Sequence, residues 1–361
     1  MVTWDKLVIR FNKMLQNLLN HFVFWYISFL FFIFLSGEDQ IFKVHLNILN
    51  LENIYVIILF LSVGVSLLFT FLDGIFSDRI MRFFPRRLMI FLKSLVYFVS
   101  AFILALLTAR PSIASFTEGD YSAIYQQLPE MNIHFVRFLV YFYLCGFFIN
   151  FLKGVMRKVG KGNFRSWMLG MLNKPMEQER IFMFVDMKSS TSIAEKLDHK
   201  KFSHLIQDVF NDLEVVDNYE GEIYQYVGDG AIISWNLKDG LNRNNFLKAF
   251  YAFKKVIHLR RRYYRRKYGQ EPKFKAGVHA GKVMVLQVGQ IRRDISYNGD
   301  TINTAARIES KCNEYKREIL ISRDLYDSLE VKEGFSFKHI GEVQLNGKRK
   351  AVGIYQVRNK K

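Results

Sequence analysis

Four long apolar runs fill most of the first 160 residues, at 18–35, 54–76, 88–108 and 135–155. Each is close to the ~20 residues that a helix needs to cross ~30 Å of hydrocarbon. Each is also apolar all round, whereas the core helix of a soluble protein keeps a polar face. The sequence therefore predicts four transmembrane helices in an all-α membrane domain over residues 1–160. No small-residue cleavage site follows the first run, which argues against a cleavable signal peptide.

Orientation follows from the basic residues around the runs. Lys6, Arg10 and Lys13 precede the first, Arg79, Arg82, Arg86 and Arg87 lie between the second and third, and Lys153, Arg157, Lys158, Lys161 and Arg165 follow the fourth. The other two loops carry Glu38, Asp39, Glu52, Glu118, Asp120 and Glu130, with only Lys43 and Arg110 as basic residues. Both termini are expected on the cytoplasmic side of the cell membrane. Asp73 and Lys93, near the cytoplasmic ends of spans two and three, are placed to pair or to snorkel, and Arg137 lies near the outer end of span four. No span has the charge series of a voltage sensor or a polar pathway for transport. This half reads as an anchor or a sensor.

The net charge of +18 is unevenly spread: residues 1–160 hold 14 Lys+Arg against 9 Asp+Glu, and residues 161–361 hold 37 against 24. Such a basic half would suit nucleic acid, but no nucleic-acid motif accompanies it and no such partner is expected. Two cysteines, Cys145 and Cys312, exclude a disulfide scaffold, and no Cys/His cluster has zinc-ligand spacing.

After a cytoplasmic linker at 161–177, alternating strands and helices begin, and 178–361 reads as a soluble domain. IFMFVD is a buried strand, 191–219 has helical periodicity, and EIYQYVGDGAIISW is a hairpin around Gly-Asp-Gly. A basic helix at 244–268, a strand pair in PKFKAGVHAGKVMVLQVG, a helix at 301–314 and closing strands follow. The order β-α-β-β-α-β predicts a ferredoxin-like α+β sheet, a fold that leaves function open.

Four segments carry chemistry. FVDMKSST, 184–191, ends a strand in Asp186 and opens a helix with hydroxyls and free N–H groups suited to phosphate, or to a simple capping box. YVGDGA, 226–231, puts Asp229 at a hairpin tip. In a ferredoxin-like sheet that tip neighbours the first strand, so Asp186 and Asp229 can converge on hard cations such as Mg²⁺ or Mn²⁺. NGDTINTAARIES, 298–310, sets Asn303 and Arg307 four apart on one helix face, able to orient an attacking oxygen and to neutralise a phosphoryl group. GEVQLNGKRKAVGIYQV, 341–357, holds Lys348 at a strand–loop junction suited to a phosphate.

In this order, and with KAGVHAGKV, these segments resemble the catalytic domain of the class III adenylate/guanylate cyclases over roughly residues 178–358. The resemblance implies that Asp186, Met187 and Asp229 hold two divalent ions. It implies that Asn303 and Arg307 stabilise the transition state and that Lys348 touches the β/γ-phosphates. The triphosphate would lie along Ser189, Ser190 and Thr191, with Arg292 or Arg293 assisting. The reaction implied is in-line attack of a ribose 3′-oxygen on the α-phosphorus, with pyrophosphate leaving. The family's sites form between two catalytic domains, so this chain is expected to work as a homodimer with shared sites.

Base selection departs from the family pattern. Adenylate cyclases usually have Lys where this chain has Gln225, and Asp or Thr where it has Ser296, whereas guanylate cyclases usually have Glu and Cys there. Gln donates and accepts, and Ser can accept from an adenine amino group. ATP is the favoured substrate, with GTP or a pyrimidine triphosphate as alternatives. A different class of function is a membrane receptor or scaffold whose cyclase-like domain only binds nucleotide. Two stretches stay outside these roles. KKVIHLRRRYYRRK, 254–267, is the most basic in the chain and reads as a solvated helix face, with anionic lipid or nucleic acid as the alternatives. GNFRSWMLGMLNKP, 162–175, reads as an amphipathic turn on the membrane or a signalling linker paired with its copy.

Overall fold

A computed structural model of the chain describes residues 4–36, 54–75, 91, 94–99, 121–159, 168–290, 294–345 and 351–360. The chain divides into two compact units, Met1–Val155 and Met156–Lys361.

In the first unit, α1 (Trp4–Ser36), α2 (Ile54–Ile75) and α3 (Tyr121–Val159) are helical, as are residues 94–99. Two segments, Met14–Leu35 and Val136–Met156, are long and apolar enough to cross a membrane, and Ile58–Gly74 is a shorter apolar helix. Most of the third predicted span, and the loop charges at 37–53, 76–90 and 100–120, fall outside the described residues. Trp25, Phe29, Phe69, Tyr97 and Phe142 form an aromatic core, with Trp25 stacked on Phe142 at 4.4 Å. The opposite faces are no more polar: Phe34, Phe60 and Phe71 are 80%, 71% and 67% exposed. An apolar exterior around an apolar core is unsuited to water.

Asp73 is not an isolated interfacial charge. Lys153 of α3 donates to its Oδ2 at 2.5 Å, His21 Nε2 of α1 lies 3.0 Å from the same oxygen, and the Tyr97 hydroxyl donates to Oδ1. The expected partner Lys93 lies outside the described residues, and the observed one comes from the fourth predicted span. A carboxylate in an apolar bundle is kept by enclosing it with donors, which ties several helices at one point.

The second unit is built on a mixed eight-stranded sheet, ordered β2-β3-β1-β4-β6-β8-β7, with β5 beside β4. Its strands are β1 (Met176–Met187), β2 (Glu222–Val227), β3 (Gly230–Asn236), β4 (Phe274–Val288), β5 (Asp294–Asn298), β6 (Ile319–Ser322), β7 (Phe335–Val343) and β8 (Val352–Asn359). Within it, β2-β3-β1-β4 is antiparallel throughout and has the ferredoxin-like order, while β6 joins β4 in parallel. Leu172, in the stretch read as linker, is buried with Phe182, Val285 and Tyr297. Met168, Leu169 and Met171 beside it stay exposed.

Three local expectations change. The helix predicted at 191–219 is α4 (Ser190–Lys196), α5 (His199–Leu213) and a 3₁₀ segment. The chain turns extended at Leu197, and Asp198 restarts the helix by accepting from Lys201 N at 2.7 Å. The basic helix is α6 (Asn245–Leu259) and α7 (Arg261–Tyr268), broken at Arg260. The strand pair in PKFKAGVHAGKVMVLQVG is one strand, β4, whose partners are β1 along its length, β6 at its start and β5 at its end.

Candidate active site

Asp186 stands at the end of β1, one residue past the last β1–β3 pair, Val185↔Ala231. That register brings it against the β2–β3 turn. Gly228 takes φ +57° there, in the left-handed region that suits glycine. A Cβ on Gly230 would lie 2.8 Å from Val185 O and 3.3 Å from Asp186 Oδ1, so only glycine lets the hairpin close on the strand. Asp229 is thereby set beside Asp186.

Two carboxylates this close oppose each other's ionisation. Burial pushes the Asp186 carboxyl above its ordinary value, the negative charge of Asp229 adds to the rise, and Lys275 works against it. Asp229 Oδ2 is buried and meets no hydrogen-bond partner among the described residues. A half-buried carboxylate pair with an unanswered oxygen suits a hard cation. Among the described residues no three His, Cys, Asp or Glu side chains converge, so further ligands would be substrate oxygens or backbone carbonyls. The Met187 side chain is buried, which leaves its carbonyl as the group it can offer.

Lys275 had no role in the sequence reading. It lies directly opposite Asp186 in the β1–β4 ladder, and its Nζ is 3.0 Å from Asp186 Oδ2 and 2.7 Å from Glu309 Oε1. Burial opposes its charge, but Glu309 and Asp186 outweigh that and raise its pKa. Glu309 is itself raised by burial, against the pull of Lys275. A signal existed: a lysine within the buried run Phe274–Val278 must find carboxylates, since a lone buried ammonium is too costly.

Glu309 belongs to α8 (Asp300–Glu314), which also carries Asn303 and Arg307. A Cβ on Gly277 would sit 2.0 Å from Glu309 N, so α8 lies directly on β4 because that position has no side chain. Asn303 is exposed, and Arg307 Nη1 is buried without a hydrogen-bond partner among the described residues. Neither makes a hydrogen bond or ion pair with Asp186 or Asp229 among the described residues.

Ser189 sits at φ +58°, left-handed backbone that is strained for serine, and its side chain makes no cap on α4. The capping box is therefore absent, and Ser190 and Thr191 open the helix without one. Gln225 is exposed on β2, just after a bulge at Tyr224, and Ser296 on β5 donates to Asn298 Oδ1 at 3.2 Å. Their neighbours Tyr224 and Tyr297 meet edge to face at 4.8 Å, which brings the two strands together. Arg292, Arg293 and Lys348 lie outside the described residues.

Residues 173–359 match the adenylate and guanylate cyclase catalytic domain. The chain is similar to adenylate cyclase 2 of Rhizobium meliloti (strain 1021), 29% identical over 228 residues that cover 63% of this chain and 61% of that one. It is also similar to the adenylate cyclase of Anabaena cylindrica, 28% identical over 191 residues that cover 49% of this chain and 36% of that one. It spans less than two thirds of either relative. The solved structure of a bacterial light-regulated adenylyl cyclase shares the fold, with a TM-score of 0.51 at 17% identity over 60% of this chain and 64% of that one.

Proposed function

Because the chain belongs to the family of adenylate and guanylate cyclase catalytic domains, we propose that it converts ATP into 3′,5′-cyclic AMP and pyrophosphate. The observation that carries this reading is the Asp186–Asp229 pair, with one buried, unanswered oxygen at a hairpin tip. Divalent ions, Mg²⁺ or Mn²⁺, held by Asp186, Asp229 and the Met187 carbonyl would lower the pKa of the ribose 3′-hydroxyl and neutralise the polyphosphate. The 3′-oxygen forms a bond to the α-phosphorus, the α–β bridging bond breaks, and the 3′ proton leaves to solvent.

This chain's own groups prepare that step. Asn303 orients the ribose, and Arg307 offsets charge on the transferring phosphoryl. Lys275, between two carboxylates, holds the Asp186 side chain in place. Ser189, Ser190 and Thr191, with Arg292 and Lys348, complete the phosphate side, and Gln225 and Ser296 read the base. Since Asn303 and Arg307 make no hydrogen bond or ion pair with the aspartates of their own chain among the described residues, two chains in head-to-tail symmetry would build two whole sites.

The same proposal has residues 1–160 span the cell membrane four times, with both termini cytoplasmic and residues 178–361 as the catalytic domain. The apolar outer faces of α1 and α2 support it. The test is incubation of the purified chain with Mn²⁺ and mixed ATP, GTP, CTP and UTP, with products read by mass spectrometry. Cyclic AMP is the expected main product. Predominant cyclic GMP or a cyclic pyrimidine would overturn the substrate, and no cyclic product with any metal would leave a nucleotide-binding scaffold.

A further inference from the structure

We propose that the outer face of α6 and α7 is a docking surface for the headgroups of an anionic phospholipid bilayer. Residues 254–267 hold eight Lys or Arg and no acidic residue. The inner face is spoken for: Phe250, Phe253, Ile257, Tyr264 and Tyr268 are buried. Charge matching then divides the basic residues. Lys254 pairs with Glu318, Arg260 with Asp212, Arg265 with Glu271 and Lys267 with Asp208. Four acids thus answer four cations.

Lys255, Arg261, Arg262 and Arg266 remain. Arg261 lies 2.5 Å from His258 Nε2, which adds no negative charge. Lys255, Arg262 and Arg266 are exposed and have no ion pair among the described residues. With Leu259 they recur at helical spacing across the break at Arg260, which backbone bonds from Arg260 N to Val256 O and from Tyr264 N to Arg260 O span. Leu259, in the middle of that stripe, is 71% exposed. An exposed leucine flanked by unmatched cations fits a surface whose headgroups are anionic and whose next layer is apolar.

Nucleic acid is the weaker partner for this face. Single strands are held by aromatic rings on which bases stack. Here Tyr264 and Tyr268 are buried, and the Tyr263 ring is already occupied by Arg260 at 4.5 Å and Lys267 at 5.1 Å.

The setting, though not the chemistry of the face, rests on the membrane-anchored reading above. The test uses the full chain in nanodiscs, carrying Cys145→Ala and Leu259→Cys, with an environment-sensitive fluorophore at position 259. Cys312 stays unlabelled because burial pushes its thiol up to about 12. In discs containing phosphatidylglycerol the emission should shift to the blue, and in neutral phosphatidylcholine it should not. Each unmatched cation near an anionic surface is worth roughly fivefold in partition, so Lys255→Gln with Arg262→Gln and Arg266→Gln should cost roughly a hundredfold. That variant should melt with the parent, since its side chains are exposed and make no hydrogen bond or ion pair among the described residues. The same emission on both lipids, or a shift with single-stranded oligonucleotide in place of lipid, overturns the proposal. Alkaline carbonate extraction reads the anchor separately. A chain released by carbonate refutes the anchor alone, and the label is then read with vesicles added to the free chain.

Discussion

Lys275 faces Asp186 across the β1–β4 ladder, with 3.0 Å between Nζ and Oδ2, and the same ammonium holds Glu309 on α8. One cation therefore joins the strand of the aspartate pair to the helix of Asn303 and Arg307. Its removal should be felt in both the fold and the chemistry. Lys275→Met leaves Asp186 and Glu309 without their cation, at a cost of up to about 3 kcal/mol once the partial exposure of Asp186 is allowed for. Calorimetry should show the lower melting temperature. Adding Glu309→Gln should recover most of the melting temperature and little of the proposed cyclase activity. Recovery of both would make Lys275 a purely structural residue.

Asp186→Asn and Asp229→Asn each remove a negative charge from the proposed ion site. Mn²⁺ should raise the melting temperature of the parent chain and fail to raise that of either variant. Product formation should fall at least about a hundredfold, the scale of one transition-state contact. A variant that still binds Mn²⁺ as the parent does would exclude that aspartate as a ligand.

The proposed sharing of sites makes a quantitative prediction. Asp186→Ala and Arg307→Ala should each be nearly inactive alone. Co-expressed, they should return roughly a quarter of parent activity, since about half the dimers are mixed and each mixed dimer has one intact site. No recovery, in mixtures where pull-down detects the heterodimer, would mean that each chain builds its own site.

In the first unit, Asp73→Asn should leave Lys153 charged without its carboxylate. The chain in detergent should melt at a lower temperature than the parent. Asp73→Asn combined with Lys153→Met removes both charges and should melt closer to the parent, because breaking a buried pair costs more than deleting it. A double variant no better than the single one would show that His21 and Tyr97 hold the bundle through Asp73 without help from Lys153.

Acid should loosen the join between α5 and α7. Burial pushes Asp208 up, but donation from Tyr263, Tyr268 and Lys267 outweighs it and holds the carboxyl below its ordinary value. A depressed carboxyl stabilises the fold fully above its unfolded pKa of about 3.9, and that contribution disappears as pH falls through the lower folded value. Melting temperatures measured downward from about pH 6 should fall steeply below about pH 4. Asp208→Asn should melt lower at neutral pH and show a shallower acid slope. An unchanged slope would assign the acid loss to other carboxylates.

The residues of the proposed chemistry stand in motifs. FVDMKSST and YVGDGA pointed to Asp186 and Asp229, and the β-α-β-β-α-β order was enough to bring them together, because it puts the hairpin beside the first strand. The four apolar runs were equally plain, since length and uniform apolarity are local properties. Interruptions were harder to see: the periodicity of 191–219 continues through Leu197 and Asp198, and only the cap at Lys201 N reveals a new start.

Pairings across the fold were set by tertiary structure. The sequence suggested Lys93 for Asp73, yet a residue 80 positions away supplies the cation, because helix packing brings Lys153 to that depth. Lys275 opens the KAGVHAGKV segment, yet its place between Asp186 and Glu309 came from strand register and from a glycine that lets α8 lie against β4. Local sequence carries the chemical type of a residue and the period of its element. Which charges share a buried space is decided when those elements pack, since desolvation there forces each charge to find its opposite.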